Sequence, residues 1–395
     1  MRQLATIVLF FCFSMAFSQQ GAIDQANVLI KKNKYLAAYN ALNAADPTNI
    51  NPQIAIAKTD LVLKHYSYTE NHHVFGLKDF ALGEDTLAVQ NDEVGLTIIK
   101  FAPDSVLNIL IVKFPEDYKI KKALGDYYFS IHQNYEDAWL LEDAEVIEEF
   151  KNNYMQAYEK GVSDFLSLYG LGYASMIEED FDAAISFFEK SVKLNDKYVL
   201  NYTNLSEAYF NIGKFDKALQ NAQQAFNLYE EPEEKSGAAR KIAEIYIEMK
   251  QKEKAVTYYQ KADEIQPNDY LTLMPLLKLE VETNNDDYKN RTNQIFTLAP
   301  DNPVVYQEIY KIYSENEKEN EFVDYMETQK AFYRSNVRVL AHIYFYSAIA
   351  QYEQDEWVSA KINFEKARNL FSNVFKSDHI IFKVIDSYTN AIKKK

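Results

Sequence analysis

The chain has 395 residues, 47% of them hydrophobic, with a formal charge of −16. That apolar content can fill a packed core and excludes global disorder; the ten glycines and nine prolines, about 5% against an average near 12%, exclude turn-rich sandwiches, barrels and propellers. The excess of 58 acidic over 42 basic residues opposes nucleic acid and anionic lipid surfaces as partners, and the one Lys run is Lys393-Lys394-Lys395 at the end.

The N-terminus has the layout of a secretory signal peptide over residues 1–18. Arg2 precedes an apolar run at 4–13, and Ala16 and Ser18 occupy the −3 and −1 positions of a cleavage site before Gln19. The run is shorter than the roughly 20 residues that span a bilayer, and no transmembrane helix is expected elsewhere. The single cysteine, Cys12, lies inside it between Phe11 and Phe13, where a lipidated cysteine would follow a small residue. Cleavage leaves a mature chain without disulfides or thiolate chemistry. The expectation is an exported protein, periplasmic or secreted, of a Gram-negative envelope.

Residues 19–66 come next, where Ala26, Tyr35, Ala38, Leu42 and Pro47 predict one or more helices paired as hairpins. Residues 67–104 hold Gly76, Gly83 and Gly95 and fit no helical period, so this segment is read as divergent or irregular. The adjacent His72 and His73 would diverge by about 100° on a helix and are expected at the surface rather than as metal ligands. Residues 105–160 carry Leu124-Gly125, Tyr128, Tyr154 and Ala157, interrupted at 134–149 by Glu136, Glu142, Asp143, Glu145, Glu148 and Glu149. They are read as a helical hairpin with an acidic insertion.

Residues 161–377 repeat themselves. Leu171, Gly172, Phe181, Ala184, Phe188, Ser191 and Leu194 return 34 residues later as Leu205, Ser206, Phe215, Ala218, Ala222, Ala225 and Leu228. A third copy, displaced by 37, reads Ile242, Ala243, Tyr246, Ala255, Tyr259 and Ala262, the extra length falling at Glu230-Glu231-Pro232-Glu233-Glu234. Weaker copies follow at Leu276, Leu279 and Tyr288, at Ile309, Tyr310, Tyr313, Phe322 and Met326, and at Ala348, Trp357, Ala360, Phe364 and Ala367. Residues 378–395 put Ile381, Val384, Ile385, Tyr388 and Ile392 on one face, with lysines at the end favoured by the helix dipole, and predict a C-terminal capping helix.

The 34-residue period with Leu-Gly early and Ala-x3-Phe later resembles the tetratricopeptide repeat. The resemblance implies an all-α superhelix of helix–turn–helix units, with the small residues where helices A and B meet. No linker rich in Pro, Gly or Ser divides the chain, and one continuous solenoid is expected. It also implies a concave face built from the A helices that holds a peptide or protein partner. Family groove positions fall here on Tyr169 and Tyr173, then Thr203, Glu207 and Phe210, then Arg240 and Glu244. The Lys and Asn with which some members clamp a C-terminal carboxylate are missing from them.

No phosphate-cradling loop, Gly-x-Ser-x-Gly elbow or His-Glu-x-x-His helix occurs, and no cofactor is expected. The expected function is therefore a non-catalytic interaction scaffold of the envelope or secreted space. The alternative is a glycan-capture or enzyme-associated accessory protein, for which Trp139 and Trp357 are the only tryptophans on which a sugar could stack.

Overall fold

The structure, a computed structural model, describes residues 20–81 and 95–395. The expected signal peptide with Cys12, apart from which the helix begins at residue 20, and Gly83 lie outside the described residues. Two compact units divide the chain at Ile212 and Gly213.

The first unit begins with α1 (20–30), α2 (Tyr35–Ala45) and α3 (Pro52–His65). Next comes a small antiparallel sheet of β1 (Tyr68–Glu70), β2 (Val74–Leu77) and β3 (Thr97–Lys100), in that order, with Thr69 opposite Phe75 and Phe75 opposite Ile99. The segment read as irregular is thus a sheet. Phe75 and Leu77 are fully buried and join Phe101 in one core with Ala38, Leu42, Leu61 and Val62 of α2 and α3. Its β1–β2 turn places two successive residues, Asn71 and His72, at φ 51° and 53°, a conformation that hairpin loops need and that glycine usually supplies.

That turn also corrects the expected surface position of the histidine pair. His72 is fully buried, with Nδ1 at 3.0 Å from Tyr135 Oη and Nε2 at 3.1 Å from Ser130 Oγ. His73 Nε2 lies 3.2 Å from Asp104 Oδ2, and its ring lies parallel to Tyr127. Both rings serve to fasten the sheet to the helices that follow.

These are α4 (Pro103–Lys113), α5 (Tyr118–Tyr135), α6 (Asp143–Glu159), α7 (Phe165–Ile177), α8 (Phe181–Leu194) and α9 (Val199–Asn211). The acidic insertion is no separate loop. It lengthens α5, makes a single 3-10 turn at Glu136–Ala138 and starts α6. Asx side chains open several helices, as where Asp164 accepts from Ser167 N and Asp180 from Ala183 N.

Close approach of paired helices is set by glycine. A Cβ on Gly172 of α7 would stand 2.6 Å from the Phe188 ring of α8. The Tyr154 ring of α6 lies against two such positions, 2.4 Å from a Cβ built on Gly125 and 2.7 Å from one on Gly170. Each glycine is therefore a socket for one aromatic ring.

The second unit continues the hairpins with α10 (Phe215–Leu228), α11 (Pro232–Glu248), α12 (Lys252–Ile265), α13 (Tyr270–Glu282) and α14 (Tyr288–Leu298). It ends with α15 (Pro303–Ser314), α16 (Glu319–Phe332), α17 (Val337–Glu353), α18 (Trp357–Phe371) and α19 (Ile380–Ile392). Ala243, Ala255 and Ala262 take the small positions and are fully buried, as are Ala348, Ala360 and Ala367. Ile381, Val384, Ile385, Tyr388 and Ile392 of α19 pack on the core of α17 and α18.

Two substitutions of the same kind should act with opposite sign. Gly172→Ala gains helix propensity but drives a methyl into the Phe188 ring; overpacking costs about 1–3 kcal/mol and should exceed the propensity gain of at most about 1 kcal/mol. Gly237 in α11 has nothing nearer than 3.7 Å to a Cβ, so Gly237→Ala should stabilise by roughly 0.5–1 kcal/mol. Urea unfolding midpoints check both, and a Gly172→Ala variant at or above the wild-type midpoint would refute the socket.

Acid should weaken both units through two buried histidines. Burial pulls the His72 imidazole down to about 4, with His73 adding to the effect. Burial does the same to His342 on α17, with Arg338 adding, also to about 4, and His342 Nδ1 has no hydrogen-bond partner. An unfolded histidine takes its proton near pH 6.5. The stability owed to the neutral rings is therefore complete above pH 6.5 and is lost as pH falls to 4, by up to about 3 kcal/mol for each. His342→Phe should flatten the fall in thermal stability between pH 6.5 and 4, and an unchanged slope would exclude His342 as a source.

Candidate partner-binding site

A cleft of about 410 Å³ opens in the first unit and is lined by Phe129, His132, Gln133, Asp137, Asp143, Tyr169 and Tyr173. Its walls are the C-terminal half of α5 and the middle of α7, and its rim is the 3-10 turn and the first residue of α6. The spacing of these walls follows from the packing beneath them. Tyr154 sits between α5 and α7 at the glycines of both, and its hydroxyl donates to Asp126 Oδ1 at 3.0 Å. Lys122 pairs with Asp126 Oδ2 at 2.8 Å and also with Asp164, the residue that caps α7.

Inside the cleft, His132 Nδ1 lies 2.7 Å from Asp143 Oδ1. The imidazole is tilted against the Tyr173 and Phe150 rings at 5.1 and 5.9 Å between centroids. Asp143 is the first residue of α6, where the helix dipole favours a negative charge. The Tyr173 and Tyr169 rings are near parallel, 6.3 Å apart. Lining thus combines three aromatic rings with two carboxylates, and it includes no lysine or arginine.

The residues expected at the groove fall in three places. Tyr169 and Tyr173 come together in this cleft. Tyr169 is only 5% exposed, packed edge-on to Phe129 and Tyr198, and its hydroxyl accepts from Asn204 Nδ2 at 3.1 Å, so it is mostly a wall. Tyr173 is half-buried and presents more surface. Thr203, Glu207 and Phe210 lie on α9 of the same unit but do not line the cleft, and Glu207 accepts from Asn211 Nδ2 at 3.1 Å. Arg240 and Glu244 belong to the second unit. The Arg240 guanidinium pairs with Asp269 and reaches Thr272 Oγ1, tying α11 to the start of α13. Glu244 is exposed, 3.5 Å from Lys241.

Sequence reasoning missed Phe129, His132, Gln133, Asp137 and Asp143 as cleft residues. The acidic character of 134–149 was legible, but its position across from the α7 tyrosines depends on how α5, the 3-10 turn and α6 join.

Neither tryptophan offers an open platform for a sugar. Trp139 lies edge-on to Tyr127, Tyr128 and His73, and its Nε1 donates to the Asn71 carbonyl at 3.1 Å, so it closes over the β1–β2 turn. Trp357 donates to Asp355 Oδ1 at 3.0 Å and has the Lys395 ammonium 4.3 Å above its ring.

Three segments, residues 166–198, 201–232 and 241–269, match the tetratricopeptide repeat family model. With the hairpins described above, the fold class is all-α, of the tetratricopeptide-repeat solenoid type. Among solved structures, the chain is similar to a tetratricopeptide repeat protein from Parabacteroides merdae at 15% identity and TM-score 0.41, over 69% of this chain and 98% of that one. It is similar to the C-terminal part of a tetratricopeptide repeat-containing protein from Cytophaga hutchinsonii at 12% identity and TM-score 0.41, over 68% and 89%. It is also similar to YrrB, described as a repeat protein with an unusual peptide-binding site, at 13% identity and TM-score 0.36, over 47% and 95%. No curated protein matches the chain.

Proposed function

We propose that the protein is an exported, non-catalytic interaction scaffold that holds a protein or peptide partner at the cleft between α5 and α7. The observation that carries this reading is the cleft itself. A concave site with aromatic walls and a few convergent polar groups is the usual form of a binding site, and this one sits on helices of a repeat fold. Rigid, half-buried tyrosine gives large contact area at small entropic cost, which is why tyrosine is frequent among interface hot spots. Arg240 and Glu244 could extend a binding surface in the second unit; Arg240 would first have to exchange its bond to Asp269.

The partner test is capture from envelope extract with wild-type protein, Tyr169→Ala/Tyr173→Ala and Arg240→Ala, each checked for fold by circular dichroism. A partner held by the wild type should lose affinity by at least about 2 kcal/mol when a central tyrosine is truncated. Equal retention by the wild type and the folded tyrosine variant would move the site off this cleft.

Export is inferred from Arg2, the apolar run at 4–13 and the Ala16/Ser18 pair. Expression in a Gram-negative host should give a periplasmic or secreted product whose N-terminal sequence begins at or next to Gln19. A cytoplasmic product retaining Met1 would refute this part of the proposal.

A further inference from the structure

We infer that the α5–α7 cleft selects a cationic side chain, lysine or arginine, carried by a peptide partner; this rests on the cleft being the binding site proposed above. The lining itself gives the reason. A cation gains from the faces of aromatic rings, and the gain grows as water is excluded. Here Phe129, Tyr169 and Tyr173 form the walls. At the rim stand two carboxylates. Asp143 uses Oδ1 on His132, which fixes the orientation of the group and directs its second oxygen to a ligand. Asp137 is exposed at the end of the 3-10 turn.

An anionic ligand meets the opposite situation. No basic side chain lines the cleft, and Glu142, Glu145, Glu148 and Glu149 continue the negative field along the first turns of α6. A neutral apolar side chain would fit the rings but would desolvate Asp143 without a partner, which costs binding energy. Of the three ligand classes only the cation satisfies both the rings and the carboxylates.

A chain of charge −16 attracts any polycation weakly, so the test must separate the cleft from the average field. The probe is a fluorescein-labelled Gly-Lys-Gly-Arg-Gly peptide, followed by anisotropy at low and physiological salt. It is compared with Gly-Ser-Gly-Ser-Gly and Gly-Glu-Gly-Glu-Gly. The basic probe should bind at least about tenfold more tightly than the neutral one, the equivalent of about 1.4 kcal/mol. Asp137→Asn with Asp143→Asn, and separately Tyr173→Ala, should each remove most of that advantage. Glu233→Gln/Glu234→Gln, on the first turn of α11 in the other unit, should leave it intact. Asp137→Asn alone, an exposed change that leaves the His132–Asp143 pair in place, keeps the test valid if the double variant fails to fold.

Equal binding of basic and neutral probes, abolished by Tyr173→Ala, would overturn the cation preference and leave the peptide-binding cleft standing. Loss of binding in the Glu233→Gln/Glu234→Gln control to the same degree would reduce the effect to bulk charge and overturn the inference. No binding of any probe, together with a captured partner indifferent to Tyr173→Ala, would overturn both readings.

Discussion

The seating of aromatic rings on glycine sockets is the contact on which the first unit depends. Tyr154 is the centre of it, wedged between Gly125 of α5 and Gly170 of α7, while Phe188 fills the same role against Gly172. A helix that presents no Cβ lets its neighbour approach by the thickness of a methyl group, and the ring then replaces lost side-chain contacts with its own broad face. The distance between α5 and α7 is thereby fixed from below, and with it the width of the cleft above. The hydroxyl of Tyr154 extends the same constraint into polar groups. It donates to Asp126, Asp126 pairs with Lys122, and Lys122 reaches Asp164 at the cap of α7. Packing and charge here enforce a single register of three helices.

Thirty tyrosines would be a liability on a surface and a polar burden in a core. The structure uses them at the border of the two. Tyr209 of α9 donates to Glu189 of α8 at 2.6 Å, Tyr310 of α15 to Glu353 of α17 at 2.5 Å, and Tyr288 of α14 to Glu321 of α16. The ring fills space inside the hairpin stack while the hydroxyl meets a carboxylate at its edge. Burial and the adjacent carboxylate both push these phenols well above their ordinary range, so they remain donors at any physiological pH. The acidic composition thus has a structural use in addition to keeping the chain soluble.

Legibility in the sequence followed the type of signal. The hairpins of 161–269 were readable because Gly172, Ser206, Ala243, Ala184, Ala218 and Ala255 recur at a fixed offset, and each is buried. Repetition is informative where one residue type is forced at one place. The sheet was not readable: its strands are three or four residues long, and its tight turn uses Asn71-His72 in the left-handed region where a glycine would have announced it. The buried role of His72 was hidden for the same reason, since its partners Ser130 and Tyr135 lie some sixty residues away in sequence. Of the candidate site, the tyrosine pair was legible from its four-residue spacing. The carboxylates opposite it were visible only as an acidic stretch without an address.

Family position alone treats Tyr169, Thr203 and Arg240 as equivalent groove residues, yet their surroundings separate them. Tyr169 is walled in by Phe129, Phe188 and Tyr198. Arg240 has its charge matched by Asp269, which also caps α13, so a ligand there must compete with an ion pair that already serves the fold. At Tyr173 and Asp143 the balance differs. The neighbouring His132 orients the carboxylate by one oxygen only, and the aromatic face beside it is half-buried. A binding site needs groups that are held in place but not yet satisfied. Within the repeat positions and the acidic segment, that condition is met where the start of α6 comes across from α7.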